Sequence, residues 1–141
     1  MSAERVVLDA NIAFRMLGRG REDLADLLDE TNGVLRGAKI YAPVFLFVEL
    51  FKHKERLLRA TGLPHSELVD AVHALVNRVE FFQKEAPVGT WMEAYRLCRG
   101  IDENDTSYVA LALHLDADFW TEDLVLKAGL RARGFDRFFE P

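Results

Sequence analysis

Short apolar runs, each followed by a stretch with helical spacing, limit what this chain can fold into more than any other feature. Arg5 to Asp9 carries Val6, Val7 and Leu8 in succession. That run is too short to be judged by helical period and holds two β-branched residues, so it reads as a buried strand. Helical patterns follow from about Asn11 to Leu17 and, past the Gly18-Arg19-Gly20 break, from about Glu22 to Asp29, where Leu24, Leu27 and Leu28 share a face. Lys39 to Ala42 is a second strand, and Pro43 suits the first turn of a long helix reaching about Arg59 and stopping at Thr61-Gly62. Pro64 to Val79 is a further helix, with Leu68, Val72, Leu75 and Val79 in register, leading into a strand from Val79 to Gln83. Trp91 to Cys98 is helical, Asp102 to Leu115 carries another helix, and Asp118 to Thr121 is strand-like. Leu124 to Arg133 is helical up to Gly134, and Phe135 to Phe139 forms a last edge strand. Short strands alternating with helices predict an α/β fold of three layers, α/β/α, with a mostly parallel central sheet.

The 141 residues, half of them apolar, suffice for one domain spanning 1–141 around one core. No apolar run approaches the ~20 residues of a membrane helix, and no signal-peptide stretch precedes Val6, so we expect a cytoplasmic protein with no membrane partner. A lone Cys98 agrees with a reducing compartment. The net charge of −5 argues against binding nucleic acid by bulk electrostatics. A polyanion partner therefore needs a local device, either a basic patch or a metal ion that reverses the sign of an acidic pocket.

In open α/β sheets, ligands sit beyond the C-terminal ends of the strands. Asp9 stands at that end of the first strand, and reads equally as the cap of the helix that begins at Ala10 or Asn11. Glu49 interrupts the run Val44 to Phe51, which is apolar all round and expected to be largely buried as a helix. A buried carboxylate needs compensation, which either a metal ion or a basic side chain at the helix edge supplies. Asp102 is placed as a helix N-cap. Asp105 shares a helix face with Tyr108, Val109 and Ala112, which turns it inward while Asp102 stays at the rim. Asp123 again follows a strand, and as a first-turn acid it also suits the helix dipole. Four carboxylates at one sheet edge repel unless cations are present. All-oxygen sites suit Mg²⁺ or Mn²⁺, which activate water and stabilise a departing oxygen at phosphorus. The four histidines, His53, His65, His73 and His114, are scattered and have no zinc spacing. Met16 and Met92 read as core fillers.

Val-Leu-Asp9-Ala-Asn11, the mid-helix Glu49, Asp102-Glu-Asn-Asp105-Thr-Ser-Tyr-Val-Ala-Leu-Ala112 and Phe-Trp-Thr121-Glu-Asp123 resemble, in order and over nearly the whole chain, the successive motifs of PIN domains. The resemblance implies a parallel sheet flanked by helices and Mg²⁺- or Mn²⁺-dependent cleavage of single-stranded RNA. It also implies frequent homodimerisation and, in many small prokaryotic members, a toxin role restrained by an antitoxin. By motif, Asp9, Glu49, Asp105 and Asp123 take the catalytic, metal-holding positions, with Asp102 as an additional candidate. Asn11 takes the polar position supporting the first acid, and Thr121 the hydroxyl near the last. Ala10 departs from the Thr or Ser that many members carry there. Of the neighbours Glu122 and Asp123, only one is expected to meet the metal.

A receiver domain would need an acidic pair after the first strand and a late Lys before Pro. A haloacid-dehalogenase-type phosphatase would need Asp-x-Asp where this chain has Asp9-Ala-Asn11. The remaining alternative is a catalytically silent PIN-like binding or scaffold protein, against which the intact acids count. For RNA contact, Lys52, Arg56 and Arg59 share one helix face by spacing, beginning a turn after Glu49. They read equally as a solvated helix end, and Arg15 and Lys127 carry the same two readings.

Overall fold

The computed structural model describes residues 5–19, 24–25, 29, 35, 37–82, 84 and 86–141. Four parallel strands form its sheet: β1 (Arg5–Leu8), β2 (Lys39–Pro43), β3 (Val79–Phe82) and β4 (Asp118–Trp120), in the order β3-β2-β1-β4. Val6 pairs with Ile40 on one side and Asp118 on the other, which puts β1 in the middle with Val6, Val7 and Leu8 wholly buried. Burial on both faces is what a parallel sheet covered by helices requires, and it explains why β1 is apolar without alternation.

The helices whose bounds lie among the described residues are α1 (Ala10–Leu17), α2 (Phe45–Lys52), α3 (Lys54–Thr61), α4 (His65–Arg78), α5 (Val88–Cys98), α6 (Thr106–Leu115) and α7 (Leu124–Ala132). α1 packs against α2 and α4, while α6 lies across β1, β2 and β4 with α5 beside it and α7 against α5. The result is a three-layer α/β/α fold. Among the described residues, no helix is long and apolar enough to cross a membrane.

Several expectations change in the folded chain. The long helix from Pro43 to Arg59 is two helices, and Pro43 closes β2, paired with Phe82. The break falls at His53, at φ −107° and ψ 10°, where no Gly or Pro marks it. The His53 ring stands edge-on to Phe14 of α1, with centroids 5.7 Å apart, so a tertiary contact sits at the bend. The helix expected from Asp102 begins as a 3₁₀ turn, Glu103–Asp105, before α6. The last strand reduces to a single bridge: the Phe119 N–H donates to the Arg137 carbonyl and the Phe139 N–H to the Phe119 carbonyl. Met16 is buried as expected, but Met92 is exposed. The helix expected from Glu22 to Asp29 lies outside the described residues except for Leu24, Ala25 and Asp29.

The apolar run around Glu49 is not largely buried. Only Leu46 and Leu50 of α2 are, whereas Val48 is 55% and Phe51 74% exposed. A two-turn helix that meets the body of the protein along one line buries only that line, however apolar its other faces are.

Candidate metal and nuclease site

The chain order reverses at β1, whose neighbours are β2 on one side and β4 on the other. Crevices at such switch points, beyond the C-terminal strand ends, are where open α/β sheets hold ligands. Asp9 leaves the end of β1 and Thr121 to Asp123 leave the end of β4, so both flank this crevice. The Asp9 N–H donates to the Trp120 carbonyl at 3.1 Å, joining the two strand ends.

Asp9 is 2% exposed. Its Oδ2 accepts a hydrogen bond from the Thr121 hydroxyl at 2.6 Å, and its Oδ1 accepts from the Asn11 N–H at 3.3 Å. The cap expected of Asp9 is present: one oxygen caps α1 and the other bonds Thr121. Asn11 supports Asp9 through its backbone, its side chain standing at an exposed position. Thr121 does more than sit near the last acid. Its oxygen also accepts from the Asp123 N–H at 3.2 Å, so one buried hydroxyl ties the first acid to the last. Asp123 caps α7 through the Leu126 N–H at 3.0 Å.

Asp105 is buried at the end of the 3₁₀ turn, and Asp102 caps that turn from a half-buried position through the Asn104 N–H at 3.1 Å. The expected division of these two acids holds, although a tight turn rather than the face of an α-helix turns Asp105 inward. Burial, then the negative charges of Asp9, Asp102 and Glu49, push the Asp105 carboxyl up to about 8. Burial also raises Asp9; the Thr121 and Asn11 hydrogen bonds pull it back, and the charges of Glu49 and Asp123 raise it further. Neighbouring acids thus stand close enough to oppose the ionisation of Asp9 and Asp105.

Glu49, half-buried on α2, accepts a hydrogen bond from the Tyr108 hydroxyl at 2.7 Å. Among the described residues no Lys or Arg pairs with it. Tyr108 is the residue that sequence reading missed. The signal was its place three residues after Asp105, where an inward-facing phenol must find a polar partner.

The candidate RNA-binding cations divide differently. Arg15 forms an ion pair with Glu122, and both side chains are about half exposed. Lys127 pairs with Glu140 at 2.9 Å and lies over the Phe138 ring. Lys52, Arg56 and Arg59 are exposed, but the break at His53 puts Lys52 on α2 and the two arginines on α3, so they do not share one continuous helix face. Cys98 is buried, and burial followed by the charge of Asp105 pushes its thiol up to about 11, which leaves it no role as a nucleophile.

Acids at the ends of β1 and β4 joined through one hydroxyl, with further acids arriving from α2 and from the turn before α6, occur here in the chain order of the motifs noted above. The PIN domain family's sequence profile matches residues 7–138. The chain belongs to the PIN domain family. No curated protein matches it. PIN domains are generally nucleases and typically bind divalent metals, so this PIN domain has a nuclease-type fold.

The donors of this PIN domain suit such an ion. They are carboxylate oxygens, which hard divalent cations prefer, and burial among like charges leaves Asp9 and Asp105 short of positive charge. Among the described residues, no group of three Asp, Glu, His or Cys side chains stands placed to hold an ion. A Mg²⁺-type ion does not demand such a cage, because it keeps several waters and takes one or two carboxylates.

Proposed function

We propose that this PIN domain is a metal-dependent ribonuclease that hydrolyses phosphodiester bonds of single-stranded RNA. The observation that carries the reading is the Asp9–Thr121–Asp123 link across the switch point, with Glu49 near enough to raise the proton affinity of both Asp9 and Asp105. Such a cluster is costly to keep in a metal-free protein and becomes favourable when a cation is bound.

In this reading Asp9, Asp105, Glu49 and Asp123 are the carboxylates of which one or two would hold Mg²⁺ or Mn²⁺, with Asp102 at the rim. The ion supplies an activated water and charge stabilisation for the departing oxygen. The protein's own contribution is orientation. Thr121 fixes Oδ2 of Asp9, the Asn11 N–H fixes Oδ1, and the Leu126 N–H fixes Asp123. Burial and the neighbouring negative charges favour the protonated form of Asp105 in the metal-free protein. Arg15, held at the crevice edge by Glu122, lies where a neighbouring RNA phosphate would find a cation, in exchange for its present partner. A toxin role restrained by an antitoxin, and homodimerisation, follow from the family resemblance. The exposed Val48 and Phe51 offer apolar surface to a protein partner.

The test is cleavage of a mixed single-stranded RNA pool in EDTA and in Mg²⁺ or Mn²⁺. We expect cleavage in metal alone. Equal cleavage in EDTA would overturn the metal dependence. Binding without turnover in every metal would favour the silent binding-module reading.

A further inference from the structure

Tyr108 lies among the acids without being one of them. The residue is wholly buried, and its hydroxyl donates to Oε1 of Glu49 at 2.7 Å across 59 residues of chain. The two partners differ in how firmly the fold holds them. Tyr108 stands in the first turn of α6, the helix that lies across three strands and buries Tyr108, Val109, Ala110, Leu111 and Ala112 in succession. Glu49 rides on the eight-residue α2, whose buried residues are Leu46 and Leu50. Phe45, one turn before Glu49 on α2, stands edge-on to the Tyr108 ring with centroids 6.5 Å apart. The Tyr108 ring therefore meets one turn of α2 and its hydroxyl the next.

The phenol suits this place because it stays neutral. Its hydroxyl is a donor that brings no charge of its own to the cluster. A lysine here would neutralise Glu49 and compete with a cation. A phenol orients the carboxylate and leaves its charge in place.

We propose that Tyr108 is a positioning residue that occupies one oxygen of Glu49 and presents the other to a divalent cation. The inference rests on the reading of this crevice as a metal site. Carboxylates that ligate metals are themselves commonly held by hydrogen bonds, and the loss of such a partner typically lowers metal affinity about 10–100-fold.

The experiment measures Mn²⁺ affinity by titration calorimetry, melting in EDTA and steady-state cleavage for wild type, Tyr108→Phe, Glu49→Gln and the double variant. Phenylalanine keeps the ring and its contact with Phe45 and removes only the donor. We expect Tyr108→Phe to weaken Mn²⁺ binding by roughly tenfold or more, and to lower kcat with KM for RNA little changed. Adding it to Glu49→Gln should weaken Mn²⁺ binding no further. A merely structural Tyr108 would instead lower melting and leave Mn²⁺ affinity where it was, which overturns the proposal, as does a loss that adds fully to that of Glu49→Gln. Should Tyr108→Phe fail to fold, a fluorinated tyrosine at position 108, a stronger donor of nearly the same shape, must still shift Mn²⁺ affinity; no shift overturns the proposal. A wild type that binds no Mn²⁺ removes the metal site itself and this inference with it, and that result is visible before any variant is made.

Discussion

Thr121→Val is the substitution that most directly probes how the crevice is held together. Valine keeps the branched shape and removes only the hydroxyl, which donates to Asp9 at 2.6 Å and accepts from the Asp123 N–H at 3.2 Å. A hydrogen bond to a charged group contributes roughly 1.5–3 kcal/mol and a neutral one roughly 0.5–1.5, so the metal-free protein should lose about 2–4 kcal/mol. Little of this can be recovered by solvent, because Asp9 and Thr121 are 2% and 3% exposed. The loss also depends on pH in a definite direction. The Thr121 bond pulls the Asp9 carboxyl down, so without it the folded state holds the Asp9 proton more tightly. Low pH supplies that proton and high pH removes it, which makes the destabilisation larger at pH 8 than at pH 5. Urea denaturation of wild type and variant in EDTA at both pH values measures this. A difference below about 0.5 kcal/mol at pH 8, the scatter expected of a neutral surface change, would refute the claim that one hydroxyl ties the two strand ends.

The metal-free wild type should itself lose stability as pH rises. Asp105, raised from an ordinary 3.8 to about 8 in the folded chain, keeps its proton there while the unfolded chain has lost it, so the stabilisation is complete below about 4 and is lost as pH climbs to about 8. The slope is up to about 1.4 kcal/mol per pH unit; denaturation at pH 5 and pH 8.5 reads it, and a flat profile, or one unchanged in Asp105→Asn, sinks the reading. Asp105→Asn should also abolish RNA cleavage with the fold intact, whereas Asp102→Asn should reduce it only mildly, because Asp105 is buried among the acids and Asp102 caps a turn. Equal losses in both, with unchanged circular dichroism, would show that the roles are divided wrongly.

Much of this was legible in one dimension, and for a consistent reason. A strand buried on both faces must be apolar without alternation, so Val6-Val7-Leu8 announced a buried strand, and the acid that followed could only stand at its C-terminal end. Asp123 after β4, Asp105 inward of Asp102, and the stop at Thr61-Gly62 were readable on the same terms, because each depends on local periodicity or capping. The chain alone could not decide which residues meet. Thr121 reaches Asp9 across 112 positions and Tyr108 reaches Glu49 across 59, partnerships created by strand order and helix docking rather than by spacing. The exposed faces of α2 were equally hidden, since an apolar side chain carries no mark of whether a neighbour covers it. So was the bend at His53, which has no glycine or proline and shows itself only where the ring stands against Phe14. Local pattern selects elements and the ends at which chemistry collects, whereas long-range packing alone sets hydrogen-bond partners and the burial of each helix face, because both depend on surfaces brought together from distant parts of the chain.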